Sequence, residues 1–200
     1  MQTDNSAQGL STGLGRLALA GVVYFFLVSA AVQFLRPDYS VMGTPLSFYL
    51  LGPYSGWLHG AFYALAAAIL LLAIGCYIGS ERPARTAATL VLFTLGAAGV
   101  VVTAIFPTDT SATLTRHGVI HVVAAAVAFL GTNVAMLIQS WRFRNAMELA
   151  VFEFIVLWYY ALMHYPARGF MEKLTILLIL LWLALVGWWL QTPRRDLRQL

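Results

Sequence analysis

Residues 55–78 read SGWLHGAFYALAAAILLLAIGCYI, an unbroken run without Lys, Arg, Asp or Glu. A helix rises about 1.5 Å per residue and about 20 apolar residues cross a bilayer, so Ser55–Ile78 is read as a transmembrane helix. Barrel strands would show alternating segments of about 10 residues, and this run is continuous. Five further long apolar runs surround it: Leu17–Leu35, Ala87–Phe106, His117–Ser140, Met147–His164 and Glu172–Leu190. The fold class is therefore all-α, an integral membrane bundle of six transmembrane helices. The breaks carry turn punctuation, as in Arg36-Pro37-Asp38, Pro107-Thr108-Asp109 and Tyr165-Pro166-Ala167-Arg168-Gly169. One domain covers residues 1–200, with a polar N-terminal tail over 1–16 and a basic C-terminal tail over 191–200.

Composition agrees. Of 200 residues 60% are apolar and 10% charged, with mean hydropathy +0.79, whereas soluble domains carry about 25% charged residues. A soluble enzyme, a nucleic-acid reader and a disulfide scaffold are excluded together, because one core could not bury so much apolar surface. The net charge of +4 is topological information. Cys76 is the one cysteine, so no disulfide framework or cysteine metal motif exists. The first apolar run is too long for a signal-peptide core, and no cleaved leader is expected.

Basic residues in short loops stay cytoplasmic. Arg16, Arg82, Arg85, Arg142, Arg144, Arg194, Arg195 and Arg198 fall on the side of the termini, against Arg36, Arg116, Arg168 and Lys173 on the other. Both termini are therefore expected in the cytoplasm, in a multi-pass protein of a bacterial-type inner membrane.

With that direction, His59, His117, His121 and His164 all fall at the outer boundary, and Asp109 and Glu172 join them. Ionisable groups at such depth pair, bind an ion or do chemistry. The three inward helices open alike, with Gly56-x-x-His59, Gly118-x-x-His121 and Gly169-x-x-Glu172, which would set one ligand-type side chain at equivalent depth on each. His117 and His121, four apart, share a helix face and could chelate one ion. Glu153 lies two turns inside the fifth span, with Thr94, Thr132 and Asn133 at similar depth as candidate partners. It reads as a packing acid or as part of a proton relay. The segment Tyr39 to Tyr54 is a lid or a linker. Trp57 is the tryptophan nearest the histidines; the others read as interface anchors.

Pro107-Thr108-Asp109, the run Thr115-x-His117-Gly118-x-x-His121, and Gly169-x-x-Glu172-Lys173 together resemble the six-span membrane proteins catalogued as domain of unknown function 998. The resemblance covers most of the chain. It implies a six-helix bundle without an established activity; members often carry Arg where this chain has Lys173. Asp109, His117, His121 and His164 also resemble, more loosely, the constellation of the membrane hydrolases that include alkaline ceramidases, which have seven spans.

Three functions are open. A metal-dependent hydrolase or lipid-modifying enzyme would hold zinc through His59, His117, His121 and His164, with Asp109 or Glu172 as general base. A redox protein would ligate haem through His59 and His121, with quinol as partner. A small transporter or assembly partner would use the polar cluster without catalysis. The expected partners are the lipid bilayer and a lipid or small apolar substrate. Nucleic acid and nucleotide are not expected, for no Walker motif is present.

Overall fold

In hydrocarbon every backbone N–H and C=O must be paired within its own segment, and the apolar runs accordingly form helices. The computed structural model describes residues 2–79, 86–111, 113–143, 147–162 and 168–192. Among these, the long helices are α1 (Gln2–Leu35), α2 (Ser55–Gly79), α3 (Ala87–Ile105), α4 (Arg116–Phe143), α5 (Met147–Leu162) and α6 (Arg168–Trp189). A short 3-10 segment, Leu46–Leu50, is termed the cap helix. Each long helix packs on its chain neighbour, and α6 returns to α1, which closes a ring in chain order.

Five stretches are long and apolar enough to cross a membrane: Ser6–Leu35, Ser55–Gly79, Ala87–Ile105, Arg116–Arg142 and Arg168–Trp189. The chain is a multi-pass membrane protein. α5 has 16 described residues, about 24 Å against a hydrocarbon core of about 30 Å. The expected fifth span continued to His164, which lies outside the described residues, as do residues 193–200 of the basic tail.

α1 begins at Gln2, well before the span expected at Leu17. The polar residues that read as a tail are helix from Gln2 on, and the hydroxyls of Ser11 and Thr12 turn inward. Ser11 Oγ donates to the Gly75 carbonyl at 3.0 Å, and Thr12 Oγ1 to that of Leu190 at 3.1 Å. These bonds tie the start of α1 to the ends of α2 and α6.

The outward faces are as apolar as the core, with Leu17, Phe34, Val123, Phe152 and Trp188 exposed, as a lipid-facing surface requires. Polar contacts and close backbone approach hold the interior together instead. Trp182 Nε1 of α6 donates to Ser140 Oγ of α4 at 2.8 Å, and its ring lies 5.9 Å from that of Phe93 of α3. A methyl on Gly99 of α3 would stand 2.6 Å from the Ala128 nitrogen of α4. The end of the ring carrying the α1–α2 and α3–α4 connections is termed the distal end below.

Candidate functional site

His59 is the fifth residue of α2, His121 the sixth of α4 and Glu172 the fifth of α6. Their surroundings differ.

At the α3–α4 corner, the Asp109 carboxylate accepts from the Thr115 amide at 2.7 Å and the Thr115 hydroxyl at 2.8 Å. Thr115 Oγ1 in turn accepts from the Gly118 amide at 3.1 Å, which makes Thr115 the N-cap of α4. These Thr115 bonds, aided by nearby His117 and His121, hold the Asp109 carboxyl below its ordinary range. A methyl on Gly118 would run into that carboxylate. His121 is buried and donates from Nδ1–H to the Phe106 carbonyl at 2.8 Å, stapling α4 to the end of α3. His117 is exposed, with its ring 5.6 Å from that of Phe106.

His59 is half-buried on α2, and its Nδ1–H donates to the Ser55 carbonyl at 2.7 Å. An Nδ1–H bond to a carbonyl, which both rings make, is the contact that orients a metal-binding imidazole. Among the described residues, however, no three His, Cys, Asp or Glu side chains converge on a position that could hold a metal ion. His164 lies outside the described residues. Trp57 is exposed and stacks near Tyr54, ring centroids 5.7 Å apart.

Glu172 belongs to a different assembly. Residues 36–54 form a folded cap that contacts α1, α2, α3 and α6 through its helix. The segment expected as a lid or a linker is folded against the bundle. Leu46, Tyr49 and Leu50 are buried. Arg36, directly after α1, is also buried. Its Nε and Nη2 bind the Asp38 carboxylate at 2.8 and 2.7 Å, its Nη1 donates to the Leu51 carbonyl at 2.6 Å, and it lies 4.4 Å from the Tyr39 ring centroid. The Asp38 bond holds Arg36 charged, and Arg36 holds the Asp38 carboxyl below its usual range. One guanidinium thus joins the two ends of the cap. Gly52 turns beside it with φ 75°.

The cap docks on the start of α6. A methyl on Gly169 would stand 2.6 Å from the Gly43 carbonyl carbon and 2.7 Å from that of Thr44. Lys173 Nζ donates to the Val41 carbonyl and lies 5.4 Å from the Tyr49 ring centroid. The Glu172 carboxylate faces the backbone amides of Leu46 and Ser47. Pro45 precedes the cap helix and offers no side-chain cap, so Glu172 takes that part.

Two polar atoms beneath the cap stay unmatched. Glu172 Oε2 and the Tyr49 hydroxyl are buried without a hydrogen-bond partner. Burial pushes the Tyr49 hydroxyl above its ordinary pKa. Sequence reasoning placed Glu172 with the histidines and missed Arg36, Asp38, Tyr39 and Tyr49. The available signal was Arg36-Pro37-Asp38, a cation and an acid two residues apart at a helix end, followed by an aromatic-rich connection.

A ring of apolar helices closed at one end by a docked cap defines a small helical membrane protein with a polar distal layer. The chain belongs to the family described as protein of unknown function (DUF998), which it matches over residues 19–189. No curated protein matches it. No solved structure matches it either.

Proposed function

We propose that the chain is a six-span protein of a bacterial-type inner membrane, both termini cytoplasmic, that binds a donor-bearing lipid head group or small polar solute at its outer face without catalysis. The excess of arginine on the side of the termini supports the direction. The observation that carries the reading is the pair of buried, unpartnered oxygens beneath the cap, Glu172 Oε2 and the Tyr49 hydroxyl. A buried polar atom without a partner costs about 1–3 kcal/mol, and a ligand bringing an O–H or N–H to the seam between cap and α6 offsets that cost. Lys173 beside the same seam suits the phosphate of such a head group.

Catalysis is the weaker reading because Asp109 is already engaged. A general base works best with a pKa near the operating pH, whereas two bonds from Thr115 hold Asp109 ionised and weakly basic.

The test compares thermal unfolding of the full chain in nanodiscs of phosphatidylcholine, which has no head-group donor, with discs containing phosphatidylethanolamine or phosphatidylglycerol, which do. The expected result is a higher transition in one of the donor-bearing lipids, lost in Glu172→Gln. Gln still accepts from the Leu46 and Ser47 amides, so the cap stays docked. Equal transitions of the wild type in all three lipids would overturn the reading.

A further inference from the structure

Glu153 lies on the buried stripe of α5, with Ala150, Val156 and Leu157, while Val151, Phe152, Ile155 and Trp158 face outward. α5 packs on α4 and α6. The Glu153 side chain is fully buried, and neither carboxylate oxygen has a hydrogen-bond partner. Thr94, expected as a partner, is exposed on α3 and donates to its own Leu90 carbonyl at 2.8 Å.

A second orphan lies at neighbouring depth. Asn133 and Ser140 share one face of α4, being two helical turns apart, and the bond from Trp182 to Ser140 turns that face toward α6. Asn133 is fully buried; its Nδ2 donates to the Phe129 carbonyl at 2.9 Å, and its Oδ1 has no partner. Counted from the facing helix ends, Phe143 of α4 and Met147 of α5, Leu137 and Glu153 are each six residues in. Asn133 therefore sits about one turn, roughly 6 Å, distal to Glu153. Gln139 has an unpartnered Nε2. It lies two turns after Thr132, which packs against Gly96 of α3, and it makes no bond to Glu153 or Asn133.

Three buried acceptor atoms without a donor leave this part of the bundle short of positive charge. We propose that Glu153 and Asn133 form an interior binding site for a monovalent cation, either a proton or Na⁺. Carboxylate and amide oxygens buried between membrane helices are the groups that carry such ions in membrane pathways. In the sequence, α4 has no ionisable residue between His121 and Arg142, and α6 has none between Lys173 and Trp189. On α5, Glu148 is exposed in the first turn. No neighbouring lysine or arginine on these stretches competes for the carboxylate. The site shares no residue with the cap and stands whether or not the head-group reading holds.

The test follows thermal unfolding of the full chain in nanodiscs in NaCl against choline chloride, at several pH values. At a cation concentration a hundredfold above its Kd, the transition is expected to rise by about 5–10 °C. A rise with Na⁺ at fixed pH assigns the alkali ion. A rise with falling pH alone assigns the proton. Glu153→Gln removes whichever dependence exists, and Glu148→Gln keeps it. Wild type and Glu153→Gln with the same responses would overturn the proposal. If Glu153→Gln does not fold, the infrared carboxyl band of the wild type serves instead; a band that answers to neither pH nor Na⁺ overturns it equally.

Discussion

Three helices carry a glycine three residues before His59, His121 or Glu172, and the sequence alone offers no reason for Gly→Ala to act differently at the three. Their surroundings do. An added methyl at Gly56 meets nothing within 4 Å, so the expected change is the helix preference for Ala over Gly, a gain of up to about 1 kcal/mol. At Gly169 the methyl stands 2.6 Å from the Gly43 carbonyl carbon and oxygen. These are backbone atoms and yield only if the cap moves, so the upper part of the overpacking range applies, about 2–3 kcal/mol. At Gly118 the methyl meets the Asp109 carboxylate, a side-chain tip that swings away by giving up Thr115. For a chain of this size 1 kcal/mol is about 2–4 °C of transition temperature. Gly56→Ala should raise the transition by up to roughly 2–4 °C and Gly169→Ala lower it by roughly 4–12 °C. Gly118→Ala falls between them, and its added clash disappears when combined with Asp109→Ala. Thermal unfolding of the four variants in one nanodisc lipid decides the matter. Shifts of equal sign and size at Gly56 and Gly169 would refute the placement of the cap against α6.

Asp109 is held below its ordinary pKa, so the stability it contributes is present above the unfolded value of 3.8 and lost as pH falls through the folded one. Asp109→Asn should therefore destabilise at neutral pH, with the gap to wild type closing below about pH 4, as unfolding at a series of pH values would read. Arg36→Lys keeps the charge but cannot reproduce the bond to Asp38 through two nitrogens together with the bond to the Leu51 carbonyl. It should expose the cap to limited proteolysis within residues 37–54 while leaving helix content by circular dichroism unchanged; an intact cap under the same protease contradicts the tie assigned to Arg36.

The helices were legible because the bilayer leaves apolar runs no other structure. Their faces were not. Val122 and Val123 face outward while Ala124 of the same run is buried, and nothing in their hydropathy separates lipid from core. The sequence did not show that α1 extends back through the polar residues 2–16, where Ser11 and Thr12 each satisfy a hydroxyl on a helix-end carbonyl. The places of His59, His121 and Glu172 in the opening turns of their helices followed from counting residues. Their partners did not, because the cap folds back over the bundle end and brings Val41, Leu46 and Ser47 onto α6, contacts that no spacing within one helix encodes. Arg36 counted as a topological charge before it became the tie of the cap.

The short motifs that carry the family resemblance divide by whether their hydrogen bonds are complete. Asp109, Thr115, Gly118 and His121 bond to one another and to Phe106. That corner uses Asp109, Thr115 and Gly118 to form the N-cap of α4 and His121 to tie α4 to the end of α3. Glu172 is different: it caps the cap helix with one part of its carboxylate and leaves Oε2 without a partner. A residue needed for capping alone could leave that oxygen at the surface, where water would satisfy it at no cost. Instead Glu172 is buried with Tyr49 under a segment anchored through Gly169 and Lys173. A site that keeps an acceptor dry until a donor arrives discriminates by hydrogen bonding, because a molecule lacking the donor leaves the buried oxygen unmatched. Under the head-group proposal, selectivity for donor-bearing head groups would follow from the same contact that closes the cap.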